Sequence, residues 1–217
     1  MLTACPAILA PDDRTLDDGP ETVTTSTSYL LQAIDTRRSV PSRQLGEPGP
    51  DEDTLLRILQ SASRVPDHGK LVPFRFIRIA GDDRHALGEK LAARSRERDP
   101  NAPESAIEKD RGRFSHAPMI ITVVARPVPH PKVPELEQLL TAGCACFALL
   151  QASQALGFGA QWLTGWPAFD NVIAHTLGVQ EGEQIVGFVH IGTPRLDVPE
   201  RERPNPATLL SDWHAGG

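Results

Sequence analysis

The sequence predicts one α/β domain in which helices cover a mixed sheet, and three observations predict it. The chain has 217 residues, which suits one such domain or a tight pair, since domains usually run to about 100–200 residues. Stripes of apolar residues at helical spacing alternate along it with short β-branched runs. No internal repeat is present, so a solenoid is excluded. A chain of this size buries roughly 70% of its unfolded surface and needs no disulfide or structural metal to be stable.

Residues 1–28 read as a flexible leader: Pro6, Pro11, Gly19 and Pro20, a Thr/Ser run, and five acids against Arg14 alone. Residues 29–217 read as the single folded domain. Its first helix begins near Thr27-Ser28, carries an apolar stripe of Leu30, Leu31 and Ile34, and ends by Ser39 because Pro41 disfavours helix just before it. A second helix follows Gly49-Pro50, with Asp51 as N-cap, Leu55, Leu56, Leu59 and Ala62 as its buried face, and Pro66 closing it. After the polar turn Asp67-His68-Gly69-Lys70 comes a strand over residues 73–79. Residues 83–98 form an exposed amphipathic helix, and the Pro/Asn/Glu segment behind it a mobile connection.

The run Ala117 to Ala125 is apolar and β-branched throughout, which suits a strand covered on both faces. The longest helical pattern, Glu135 to Leu156, is apolar on nearly every side between Ala142 and Leu150, so it is buried all round at a domain centre or a subunit interface. A short strand (160–163), a helix from about Pro167 to Gly178 and a strand (184–191) complete the domain. The tail from Thr193 to Trp213, rich in Pro and charge, reaches over a surface.

Composition excludes several function classes. The net charge of −6 argues against a duplex nucleic-acid surface. No apolar stretch approaches the roughly 18 residues of a membrane span. Cys5, Cys144 and Cys146 make no disulfide framework, and no basic-then-apolar signal stands at the start, so a cytoplasmic setting is expected. Cys144-Ala145-Cys146 lacks the spacing of a zinc knuckle and reads as core thiols. His85, His116, His130, His175, His190 and His214 show no paired spacing for a metal.

Three segments carry candidate chemistry. Arg37-Arg38-Ser39 sets two guanidinium forks and a hydroxyl in succession, either an anion grip or a solvated helix end. In Arg64-Val65-Pro66-Asp67-His68, Arg64 and His68 converge on one ligand, or Asp67 caps backbone or pairs with Arg64. Gly157 to Gly165 follows a helix and precedes a strand, the reverse of a dinucleotide-binding turn. It is better suited to a strand edge that presents backbone groups and an aromatic face to a flat ring.

Together these segments resemble the nitroreductase family. The matching pieces are Ile34 to Ser39, Arg64 to His68 with Pro73 to Phe76, Ala117 to Ala125, Ala142 to Ala145, Gly157 to Trp162 and Ile185 to Pro194, in the family's order. The resemblance implies an α+β fold of three layers, α/β/α, with a mixed, mostly antiparallel sheet and a long buried central helix. It implies a homodimer binding FMN at its interface. Arg37, Arg38 and Ser39 would hold the phosphate and ribityl end. Trp162, Leu163 and Thr164 would line the flavin from the same subunit, while Arg64 and His68 reach in from the partner. The activity implied is hydride transfer from NAD(P)H through flavin N5 to a nitroaromatic, quinone or similar small-molecule acceptor by ping-pong kinetics, with no side-chain catalytic group assigned. The alternative is an FMN-binding storage or sensor dimer. Gly69-Lys70-Leu71-Val72 and Leu163 depart from the more polar residues common in that family.

Overall fold

The computed structural model describes residues 26–215; most of the leader, with Cys5, lies outside the described residues. Helix α1 (Ser26–Asp35) stops earlier than the sequence predicts. The Arg38 N–H donates to Gln154 Oε1 at 3.1 Å and the Val40 N–H to the Ala160 carbonyl at 3.0 Å. Those long-range acceptors draw residues 37–40 out of the helix before Pro41 is reached. Leu30, Leu31 and Ile34 are exposed.

Helix α2 (Glu52–Ala62) is capped as expected, with Asp51 accepting from the Thr54 N–H at 2.9 Å. Its buried face is Leu55, Ile58 and Ala62, whereas Leu56 is exposed. Residues three and four apart share a helix face, and the true face turns one position away from Leu56.

Five strands follow: β1 (Leu45–Gly46), β2 (Phe74–Ala80), β3 (Met119–Ala125), β4 (Gly159–Leu163) and β5 (Gln184–Pro194). The path is β1-β5-β3-β2, with β4 also on β5, and every pairing among the described residues is antiparallel rather than mixed. Strand sequences signal burial but not direction, which is set by how the connections return the chain. The remaining helices are α3 (Asp83–Arg98), α4 (Glu104–Arg111), α5 (Glu135–Ala155) and α6 (Asn171–Thr176).

Alternation along β3 builds the three layers. Met119, Ile121, Val123 and Ala125 pack with α2 and α5 (Leu55, Ile58, Ala145, Leu149). Ile120 and Val124 face the opposite layer with Leu87 and Leu91 of α3 and Ile173 of α6. All seven β3 residues are buried, as a strand covered on both faces requires. The same alternation sends Arg75 to Glu183 and Arg78 to Glu52.

The structure corrects some sequence expectations and bears out others. Residues 104–111 form α4 instead of a mobile connection; only Ile107 and Asp110 are buried there, so the segment carries too few apolar residues to show a period. Helix α3 has the expected bounds and is amphipathic as expected, with Leu87, Leu91 and Ala92 packed inward. Helix α5 is not buried all round by its own chain, which leaves the subunit-interface alternative: Leu136, Leu140, Cys144 and Phe147 are exposed along one side. Cys144 is therefore not a core thiol, whereas Cys146, about 100° round the helix per residue and two positions on, is buried with its thiol pushed up to about 12. By length and composition α5 could cross a membrane, contrary to the expectation, yet half of its most apolar window is buried in this fold. The tail is exposed beyond Val198, with Leu209, Leu210 and Trp213 touching little.

Candidate functional site

The extended segment after α1 lies along β4, held by the Val40 bond to Ala160 and by Gln161 Oε1, which accepts the Ser42 N–H at 2.6 Å. That placement sets Arg38 beside Gly157, Phe158 and Gly159 at the start of β4, and Arg43 beside the flavin-lining candidate Leu163 at its exit. Among the described residues strand β4 pairs only with β5. Since N–H and C=O groups of alternate residues point to the same side of an antiparallel strand, Trp162 shares the outward side of Ala160 and offers its backbone groups on an open edge.

Arg37, Arg38 and Ser39 line a cavity of about 190 Å³ together with Val198, Pro199, Arg201 and Arg203. Arg37 donates to Ser39 Oγ at 3.2 Å, and Arg38 to the Asp35 carbonyl at 2.7 Å. Glu200 pairs with Arg38 and with Arg203. Burial, then the charges of Arg203, Arg201 and Arg38, hold the Arg37 guanidinium below its usual pKa. Four guanidiniums crowded round one concave space, with one carboxylate against them, form a donor set fitted to a phosphate. Sequence reading missed Arg201 and Arg203. Their signal was the charge alternation of a Pro-rich tail, which carries no address until the fold returns that tail to α1.

Trp162 lays its indole over Gly187, where any Cβ would collide with the ring, and donates Nε1–H to the Val186 carbonyl at 3.3 Å. Its neighbour Leu163 points to the opposite face of the sheet, into a cavity bordered by Arg43 and His116. Thr164 follows at the strand's exit, half-buried.

Arg64 and His68 stand elsewhere. Both are exposed, and His68 Nδ1 meets Glu137 Oε1 at 2.8 Å at the start of α5. Gln154, which holds Arg38, is at the other end of that helix. Seventeen residues at 1.5 Å each put the two ends roughly 25 Å apart, so one chain does not unite the two groups. The Asp67 carboxylate caps backbone instead of pairing with Arg64, accepting the N–H groups of Leu71 at 3.1 Å and Val72 at 2.9 Å. Within this loop Lys70 and Val72 have left-handed φ of 54° and 48°. That conformation is costly for a β-branched residue.

Comparison with known proteins gives the following. The family model described as "Nitroreductase family" matches residues 34–193. The chain is 37% identical over 166 residues to "Putative NAD(P)H nitroreductase YdjA" of Escherichia coli K12, covering 76% of this chain and 88% of that protein. It is 36% identical over 173 residues to "Putative NAD(P)H nitroreductase" of Haemophilus influenzae, covering 79% and 91%. Among solved structures, a nitroreductase-like family protein from Bacillus cereus superimposes with TM-score 0.72 at 21% identity over 89% of this chain and 99% of that one. A nitroreductase with bound FMN from Bacteroides fragilis superimposes with TM-score 0.62 at 20% identity, over 85% and 98%.

Proposed function

Because this chain belongs to the nitroreductase family, we propose that it is an FMN-dependent NAD(P)H oxidoreductase acting as a homodimer. The observation that carries the reading is the cavity of Arg37, Arg38, Arg201 and Arg203 beside Ser39, where burial and then the charges of Arg203, Arg201 and Arg38 depress the Arg37 pKa and Glu200 opposes them. Such an array is relieved by a dianion, and the FMN phosphate is one. Trp162, Leu163 and Thr164 then line the ring along the open edge of β4.

FMN, when bound, would supply two-electron hydride chemistry between NAD(P)H and a nitroaromatic, quinone or similar acceptor. The chain's residues hold the phosphate, keep the ring against the strand edge, and leave access for reductant and acceptor in turn, which gives ping-pong kinetics.

The dimer explains the separated half-sites. Leu136, Leu140 and Phe147 of α5 are 65%, 61% and 46% exposed, an unpartnered apolar stripe of the kind that marks an association surface. Two copies of α5 packed antiparallel about a two-fold axis bring the His68 end of one beside the Arg38 end of the other. Arg64 and His68 thereby complete the partner's site. Exposed Leu30, Leu31 and Ile34 of α1 extend the same surface.

The test is the visible spectrum of purified protein, mass identification of the compound released by heat, and anaerobic addition of NADH or NADPH. A yellow protein that releases FMN and bleaches supports the reading. A yellow protein that does not bleach favours storage or sensing, and a colourless monomer indifferent to added FMN sinks both.

A further inference from the structure

Below the exit of β4 lies a second cationic cavity, about 120 Å³, lined by Ser42, Arg43, Lys109, Gly112, Arg113, His116 and Leu163. Four chain segments meet there: the turn after residue 41, the end of α4, the turn at residues 112–114, and β4. No carboxylate lines it. Asp110, next to Lys109 in the chain, is engaged by Arg113 at 2.7 Å, Ser95 at 2.8 Å and Trp166 at 3.0 Å. Arg113 also reaches the loop after Leu163, since a Cβ on Gly165 would stand 3.0 Å from its Nη1.

The field in this cavity is positive from several directions. Burial, then Arg43 and Arg195, hold His116 below its usual pKa. Behind it His190, stacked on Phe114 at 5.6 Å, is pushed down to about 4 by burial, with Arg113 and His116 adding to the shift. His190 Nδ1 is buried without a hydrogen-bond partner among the described residues. Its imidazole stays neutral beside Arg113 and a second histidine, His116. In a chain whose net charge is −6, Arg43, Lys109 and Arg113 gathered at one concavity with no carboxylate among its lining residues leave an unfilled demand for negative charge. The volume admits a tetrahedral or planar oxyanion.

We propose that the cavity formed by Arg43, Lys109, Arg113 and His116 is an oxyanion subsite, binding the phosphate or carboxylate of a small molecule presented at the β4 exit. It is distinct from the phosphate cavity of Arg37 and Arg38, with which it shares no lining residue. Its substrate role rests on the flavin reading above, because Leu163 belongs to both places. Three sources carry the same chemistry: the 2′-phosphate of NADPH, an acid group on the electron acceptor, and free phosphate.

The experiment has two arms on the purified full-length protein. In the first, inorganic phosphate is titrated while the His116 ring resonances are followed by NMR, in wild type and in Arg43→Gln. The expected result is a saturable shift and a raised His116 pKa in wild type, both lost in the variant. In the second, KM values are measured for NADPH against NADH and for 4-nitrobenzoate against nitrobenzene. A roughly tenfold rise in KM for NADPH alone assigns the coenzyme phosphate, and the same rise for 4-nitrobenzoate alone assigns the acceptor. A phosphate response without either preference assigns a free anion. No response of His116 together with unchanged KM values in Arg43→Gln overturns the subsite. The NMR arm needs no flavin, so a colourless chain whose His116 responds would sink the flavin reading while leaving this cavity intact.

Discussion

Cross-linking through Cys144 tests the dimer geometry at its centre. If the Glu137 end of one α5 meets the Gln154 end of the other, the two-fold axis crosses the helix midway, between Ala145 and Cys146. Cys144 is the exposed thiol nearest that point. At 1.5 Å per residue the paired Cys144 positions are offset by only about 4–5 Å along the helix. Packed helices lie about 8–10 Å apart. Gly143 has no atom within 4 Å of where its Cβ would stand, which permits the lower end of that range. With both thiols turned partly off the contact line, their Cα atoms come within roughly 7–9 Å. A bismaleimide spanning about that distance should convert a Cys5→Ser protein almost wholly to covalent dimer, read on a denaturing gel. Cys146 is excluded by burial and by a thiol pushed up to about 12. Cys144→Ser should abolish the product. Absence of cross-linking in a protein that elutes as a dimer would refute the antiparallel α5 pairing, and with it the placement of Arg64 and His68 in the partner's site.

Replacing Arg37 and Arg38 with Ala should weaken FMN retention by about 1.5–3 kcal/mol for each charge-assisted bond lost, measured as flavin left after dialysis. Glu183 is held below the usual carboxylate range by its hydrogen bonds to Arg75, at 2.6 and 2.8 Å. A depressed folded pKa contributes stability above the unfolded value that is lost as pH falls through the folded one. Melting curves should therefore show wild type losing more stability than Glu183→Gln on acidification below about pH 4.5. Val72→Gly should be neutral or stabilising, because relief of about 1–2 kcal/mol of left-handed strain offsets the entropy glycine adds to the unfolded chain; a clear drop in Tm would show that the φ of 48° carries no strain.

What the sequence disclosed and what it hid divide along physical lines. Strand β3 was legible because seven consecutive apolar residues leave few alternatives, and the α2 cap because Asp51 stands before an acidic first turn. Arg37, Arg38 and Ser39 were legible as a possible grip, but their neighbours Arg201 and Arg203 were not, since nothing local says where a tail returns. Helix α4 was hidden because its burial rests on Ile107 and Asp110 alone. Whether the outer stripe of α5 sits at a domain centre or a subunit interface stayed open for a related reason: apolarity reports that a face avoids water, not whether its own chain or another covers it. The resemblance, not the pattern, carried Arg64 and His68 to the partner. Within one chain those residues merely border Glu137 and Asp67.

The two cationic cavities should answer differently to salt, and the difference separates their roles. They lie at opposite ends of the segment from Ser39 to Arg43, which spans roughly 13 Å if extended at about 3.3 Å per residue. That distance exceeds the Debye length of about 8 Å at physiological ionic strength, so neither cavity feels the other strongly, and the net −6 of the chain matters less than either local array. Around Arg37 and Arg38 the charges are partly buried, with the Arg38 side chain 25% exposed, and screening there is weak. Arg43, Lys109 and His116 are exposed, and their attraction is open to counterions. Raising salt from about 0.05 to 0.5 M should therefore weaken ligand binding at Arg43 well before it releases flavin held at Arg37 and Arg38. Titration of phosphate against His116, run beside flavin retention at each salt concentration, measures both. Flavin loss preceding loss of the His116 response would mean that the Arg37 cavity is the more open of the two, and that the permanent anion belongs at Arg43 instead.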